Sequence, residues 1–236
     1  MKSLQILTPA RKCMFNCPFC ISKSHEHNNS FTNNYKDNYD LWKNNLIQIL
    51  NQYNDLKNIV ITGTNEPMQN PECVQDIIDL VRTYRSDINV ELQTRYYKKM
   101  DLYDQLDVVA YSISDFSFLE KIKISNVINR YVIILTDSFN NKSLIDIINK
   151  IPNNVSQLTF KYLHDSEGMN KELDNWIINH RVNTQTTISL INEIQKYNGI
   201  LSVRYDGNCM DATDRYMIFR EDGNLYDDWN SKECIM

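Results

Sequence analysis

The chain has 236 residues, 42% hydrophobic and 23% charged, the composition of a globular protein built as one large domain or as a domain with a short appendage. Its net charge of −5 argues against an extended nucleic-acid surface, which needs clustered Lys and Arg, but leaves a small nucleotide open as substrate. No run approaches the roughly 18 apolar residues of a membrane span, and the short apolar stretch at the start is no signal peptide, so a cytoplasmic protein with no membrane partner is expected.

The first strand is predicted at Leu4–Leu7, and three cysteines, Cys13, Cys17 and Cys20, follow it in a loop. The segment Ile21–Tyr39 is polar and Asn-rich and reads as a long connection. Helices are predicted over Leu41–Tyr53, where Trp42, Leu46, Ile49, Leu50 and Tyr53 share one face, and over Pro71–Arg85, where Val74, Ile77, Ile78, Val81 and Tyr84 do. Pro71 suits a helix start, where a missing N–H is harmless. Further strands fall at Asn58–Thr62, Ile88–Gln93, Val108–Ile113, Arg130–Leu135 and Gln157–Lys161, apolar on both faces as buried parallel strands are. Shorter helices are predicted at Met100–Leu106, Phe118–Lys123 and Ser143–Ile151. This alternation gives an α/β fold with a parallel sheet or an incomplete barrel.

After Lys161 the pattern changes. Lys171–His180 and Gln185–Tyr197 read as helices, and from Leu201 onward as short antiparallel strands with a turn at Asp222-Gly223. The last 31 residues hold eight Asp or Glu against three Lys or Arg, which predicts an acidic, solvated hairpin. The division expected is a core over residues 1–165 and a C-terminal cap of helices and hairpin over 166–236.

Cys13-Met-Phe-Asn-Cys17-Pro-Phe-Cys20 sets three thiols in eight positions. In a reducing compartment such clusters hold metals or iron–sulfur centres more often than disulfides. Three thiolates can hold three irons of a [4Fe–4S] cube and leave the fourth open to substrate. A structural zinc knob would instead need a fourth ligand from His25, His27 or Cys73.

This C-x3-C-x2-C spacing, with aromatic Phe19 before the last cysteine, resembles the signature of the radical S-adenosylmethionine (SAM) superfamily over roughly residues 3–165. The resemblance implies a partial (β/α)6 TIM-like barrel whose cysteine loop follows the first strand. Gly63-Thr64-Asn65-Glu66-Pro67, directly after the second strand, is similar to the family's glycine-rich turn, whose backbone and acidic residue bind the methionyl amino group of SAM. Asn65 stands where a second glycine is common; asparagine tolerates left-handed backbone, so the turn is expected to survive. By the same resemblance, Gln93 and Thr94 would lie near the SAM carboxylate or ribose, and Ser112, Ser114 and Asp115 would contact the ribose. Ser and Asp are also ordinary turn formers at strand ends. Arg130, Lys161 and His164 would face substrate if they lie at the C-terminal ends of their strands.

The chemistry implied is reductive cleavage of SAM at the cluster to methionine and a 5′-deoxyadenosyl radical, which abstracts hydrogen from a substrate. An electron donor of flavodoxin-like or ferredoxin-like type is implied with it. Met14, Phe15 and Pro18 would shield the cluster or simply pack the loop. The region from Cys209 through Asp222-Gly223 is similar to the hairpin that opens SPASM and twitch extensions, with Asp228 where a second cysteine would bind an auxiliary cluster. Cys209 and Cys234 could return hydrogen to a substrate radical, or be inert. The tail favours a peptide or protein substrate, while the compact size also suits a glycyl-radical activating enzyme or one acting on a nucleotide or other small molecule. A different class stays open too: a non-catalytic iron–sulfur or zinc module that senses redox state or docks a partner.

Overall fold

The computed structural model describes residues 3–8, 13–17, 20, 35–161, 216–229 and 231–236, and the backbone alone of 164–165, 168–169 and 202–206. Strands β1 (Ser3–Thr8), β2 (Asn58–Gly63), β3 (Asn89–Thr94), β4 (Val108–Ile113), β5 (Ile128–Ile134) and β6 (Val155–Lys161) lie side by side in chain order, each parallel to the next. One face packs on the helices and buries Leu4 and Ile6 of β1, Ile59 and Ile61 of β2, and Tyr131 and Ile133 of β5. A parallel sheet needs a crossover between strands, and the helices between these strands supply that cover. The result is the expected α/β sheet of an incomplete barrel, with every β1–β6 strand ending on the same edge.

Helix α1 (Tyr39–Gln52) buries Trp42, Leu46, Ile49 and Leu50, and α2 (Pro71–Tyr84) buries Cys73, Val74, Ile77, Ile78, Leu80 and Val81. Asn70 caps α2 by accepting from the Cys73 N–H at 3.2 Å, with Pro71 at the first helical position. At its other end Arg85 donates to the carbonyls of Leu50, Tyr53, Asn54 and Leu56, tying the end of α2 to the end of α1. Helix α3 (Leu144–Lys150) opens on a capping box between Ser143 and Asp146.

The other two predicted helices shrink. Met100–Leu106 holds a 3-10 turn at Asp101–Gln105, and the segment expected at Phe118–Lys123 forms one only at Phe116–Phe118. Both connections are too short to repay helix nucleation, and Asp115 caps its single turn through the Ser117 N–H at 2.8 Å. Residues 171–180 and 185–197 lie outside the described residues.

The C-terminal strands depart from the expected antiparallel appendage. After a two-residue antiparallel pair, β7 (His164–Asp165) with β8 (Gly168–Met169), strand β9 (Ser202–Asp206) pairs parallel with β6. Strand β10 (Met217–Phe219) pairs parallel with β1, and β11 (Leu225–Tyr226) returns antiparallel beside it. The sheet thus has nine strands in the order β11-β10-β1-β2-β3-β4-β5-β6-β9. Nor is the hairpin solvated: Ile218, Phe219, Arg220, Glu221, Leu225 and Tyr226 are all buried. Its acidic count misled because the charges are used locally. Asp222 accepts from the Asn224 N–H and the Tyr226 hydroxyl, and Asp228 accepts from the Ser231 N–H. Arg220 lies 3.7 Å from the Tyr226 ring centroid and donates to the carbonyls of Asp228, Trp229 and Ser231.

The Asp222-Gly223 turn forms as expected, with Gly223 at φ 83° and its carbonyl accepting from Asn45 of α1 at 2.7 Å. A Cβ there would stand 3.1 Å from the Trp42 Cα. Gly223→Ala therefore meets both a left-handed backbone and a helix it cannot displace, and should cost about 1–3 kcal/mol, read as a lower midpoint in chemical denaturation.

Candidate functional site

The C-terminal ends of β1 to β4 carry the cysteine loop, the Gly63–Glu66 turn, and two polar segments at residues 93–97 and 112–115. Within the loop, the Phe15 N–H lies 3.4 Å from Cys13 Sγ and the Cys20 N–H donates to the Cys17 carbonyl at 3.3 Å. The Met14 N–H donates to Gln69 Oε1 at 2.8 Å, holding the loop against the 3-10 turn Pro67–Gln69 that follows β2. None of the three thiols is in a disulfide, and all are partly exposed. Cys73, the zinc alternative's cysteine, instead lies fully buried in the core on α2, where burial pushes its thiol far above the ordinary range. Among the described residues no three potential ligands converge on a single-ion site. A cube that gives each thiolate its own iron does not require them to, so the three thiols fit an iron–sulfur cluster, while His25 and His27, the other zinc candidates, lie outside the described residues. Phe19 lies outside the described residues.

The turn after β2 is held by its acidic residue. Glu66 is 6% exposed, and one carboxylate oxygen accepts from the Met68 N–H at 3.1 Å and from the Thr94 hydroxyl. The other accepts from the Arg95 N–H at 2.7 Å. Burial raises the proton affinity of this carboxyl while the three donors and the Arg95 charge oppose the rise. Glu66 thus joins the turn to the end of β3, and Thr94 serves that joint, accepting also from the Tyr96 N–H at 2.8 Å. Gly63 is required by proximity: a Cβ would fall 2.7 Å from Thr8 Oγ1 and 3.0 Å from the Asn65 carbonyl oxygen. Asn65 keeps a negative φ, so the left-handed tolerance expected of it is not used.

Arg95, one residue past the polar run Gln93-Thr94, is the site residue that sequence reasoning missed. Its guanidinium contacts Cys17 Sγ, donates to Ser114 Oγ at 2.9 Å and lies 5.3 Å from the Phe15 ring centroid. It joins the cysteine loop, the end of β3 and the end of β4. The thiol of Cys17 is pushed up by burial, against the pull of Arg95. Of the positions given a SAM contact, Ser114 is in this constellation. The carbonyl of Ser112 accepts from the Tyr97 hydroxyl at 2.6 Å, whereas the Asp115 carboxylate is taken up by its cap, which holds it below the usual carboxylate range.

The face turned away from the helices carries a row, Gln93, Ala110, Arg130 and Gln157, polar except at Ala110 and aligned across β3 to β6. Arg130 reaches over the small Ala110 to Glu91 at 2.6 Å and donates to Gln157 at 2.7 Å. Expected as a possible substrate contact, Arg130 is instead the third residue of β5 and neutralises the lower part of this face. Lys161 does end its strand and is half-buried, whereas the side chains of His164 and Cys209 lie outside the described residues. Cys234 is exposed near the chain end. Glu66→Ala removes the acceptor shared by three donors and should destabilise the protein by about 2–4 kcal/mol in urea denaturation; a loss near zero would show that the turn holds without it.

A family model described as the radical SAM superfamily matches residues 7–205. No curated protein matches the chain. Among solved structures, Streptococcus suis SuiB bound to S-adenosylmethionine aligns with a TM-score of 0.59 at 12% identity, over 95% of this chain and 57% of that one. The structure of anSMEcpe with bound AdoMet and the Cp18Cys peptide aligns with a TM-score of 0.59 at 13% identity, over 98% of this chain and 75% of that one. The chain therefore spans little more than half the length of SuiB, and at these identities the likeness is one of fold. The family model covers most of the sequence, and the chain belongs to the radical SAM superfamily.

Proposed function

We propose that the protein is an enzyme that uses SAM-dependent radical chemistry to modify a peptide or protein. A reduced [4Fe–4S] cluster with SAM supplies, when bound, one electron to the sulfonium and so a 5′-deoxyadenosyl radical that takes hydrogen from the substrate. Cys13, Cys17 and Cys20 would hold the cluster and leave one iron without a protein thiolate. The backbone of Gly63, Thr64 and Asn65, kept in shape by Glu66, would receive the methionyl amino group. Arg95 would receive the carboxylate, and Ser112 and Ser114 the ribose. The observation that carries this reading is the contact of one guanidinium with both Cys17 and Ser114. It brings a fixed positive charge to the junction of three motifs, where a ligand bearing a carboxylate would be paired.

A peptide substrate is supported by the C-terminal hairpin with its Asp222-Gly223 turn, which is similar to the one that opens SPASM and twitch extensions. The peptide bound in anSMEcpe is a property of that protein, and it lends weight to the same class here. We assign catalysis to residues 1–165, with 166–236 as the cap, and the electron to a flavodoxin-like or ferredoxin-like donor. Residues lining the barrel would exclude water and stray hydrogen donors from the reacting carbon.

Anaerobic reconstitution with iron and sulfide, then reduction in the presence of SAM, should release 5′-deoxyadenosine and methionine. A fully loaded cluster that releases neither would sink the enzyme reading in favour of a binding module. Cys17→Ala should lose the brown iron–sulfur absorbance, and unchanged iron content would refute the ligand assignment. For the substrate, a cell-extract fraction should stimulate 5′-deoxyadenosine release and lose that effect on protease digestion; stimulation that survives digestion assigns the substrate to small molecules.

A further inference from the structure

Among the described residues, three buried polar atoms beside the turn have no hydrogen-bond partner: Thr64 Oγ1 and both carboxyl oxygens of Glu221. Glu221 is 3% exposed and comes from the C-terminal hairpin. Phe219 of β10 pairs with Ile6, and Thr8, two residues on in β1, pairs with Gly63, so Glu221, two residues beyond Phe219, comes level with the start of the turn. There its carboxyl faces the Thr64 hydroxyl without closing a hydrogen bond. We infer that Glu221 is a positioning residue for SAM: set against Thr64, it makes the C-terminal hairpin the support on which the Gly63–Glu66 turn is shaped. This rests on the proposal that the turn receives SAM.

Among the described residues the cation acting on Glu221 is Arg220, whose pull is weaker than the burial and whose guanidinium is turned to the Tyr226 ring and three carbonyls. Asp222 adds a negative charge from the same segment, and from α2 the group facing it is Cys73, itself in the field of Asp76 and Lys36. Burial, the largest cause, pushes the Glu221 carboxyl up to about 7. The Thr64 hydroxyl faces this carboxyl as a donor and opposes the rise, but a donor alone does not offset the burial, and the neutral acid sits against the turn without a buried charge. The ionised form leaves a charge in a dry pocket against the turn, and the turn must yield to hydrate it.

The sign of the pH dependence follows. A carboxyl whose affinity for protons is higher folded than unfolded favours the folded form fully below the ordinary value of 4.5, and that contribution is lost as pH rises from there through about 7. The distortion that weakens SAM binding sets in over the upper part of that window, as Glu221 ionises. Glu221→Gln keeps the shape and a donor without the charge, so it should escape both losses.

The experiment is equilibrium binding of SAM to protein carrying an oxidised, unreactive cluster, from pH 5.5 to 8.5, for the wild type and Glu221→Gln. SAM's own amino group titrates near pH 8, so the readout is the ratio of the two affinities at each pH. That ratio should stay near one at pH 5.5 and favour the variant by about threefold to tenfold at pH 8.5, the size of an ordinary coupling between sites. Thr64→Val supplies a second reading that does not depend on that variant: removing the hydroxyl, which lowers the Glu221 value, should move the wild-type midpoint to higher pH. A flat ratio, or an unmoved midpoint in Thr64→Val, overturns the inference while leaving the proposed function intact. A loaded wild type that binds no SAM at any pH overturns the proposed function and this inference with it.

Discussion

A carboxylate sunk in a protein interior must be met by donors, and Glu66 is met by three that come from two places in the chain: the N–H of Met68 just ahead, and the hydroxyl of Thr94 and N–H of Arg95 after β3. Because one side chain serves both, the turn after β2 and the end of β3 cannot move apart. Everything at this end of the sheet is referred to that joint. Gln69, in the short helix that Glu66 caps, holds the cysteine loop through Met14, and Arg95, whose backbone Glu66 fixes, carries its guanidinium to Cys17 and Ser114. An acidic residue expected only to touch a ligand is the piece that sets the geometry of the residues around it.

The parallel sheet does the rest of the gathering. Its strands run from helix-covered bottoms to one common edge, and the motifs, separated by as many as a hundred residues in sequence, arrive there because each follows a strand. Short crossovers then decide what the elements look like. Where the connection is long, as in those that hold α1 and α2, a full helix forms and buries a broad face; where it is short, one 3-10 turn suffices, capped by Asp115 in one case and by no side chain in the other.

Strands such as β2 and β4 were legible because their runs are almost wholly apolar, and predicted and observed limits for Val108–Ile113 coincide; β3, β5 and β6 depart from that expectation by carrying Glu91, Gln93, Arg130 and Gln157 on the face turned away from the helices. The cysteine loop and the turn were legible because chemistry forces particular residues at particular spacings. Arg95 was not, since a single arginine after a strand has no local signature; its meaning comes from Cys17 and Ser114, 78 and 19 residues away. The hairpin was misjudged for a related reason. A count of acidic residues says nothing of which ones fold back on their own backbone, as Asp222 and Asp228 do, and a three-residue strand such as β10 is too short for its alternation to show that both faces will be covered.

The polar row beneath the site carries a consequence for selectivity. Glu91 and Arg130 cancel each other, with Gln157 completing the contacts of the guanidinium, so a molecule reaching that depth would meet dipoles rather than net charge. On the proposed function, discrimination between anionic and cationic guests would fall to the rim, where Lys161 ends β6. Retuning what the barrel admits would begin with that lysine, while changes to Arg130 would be felt first as a stranded carboxylate.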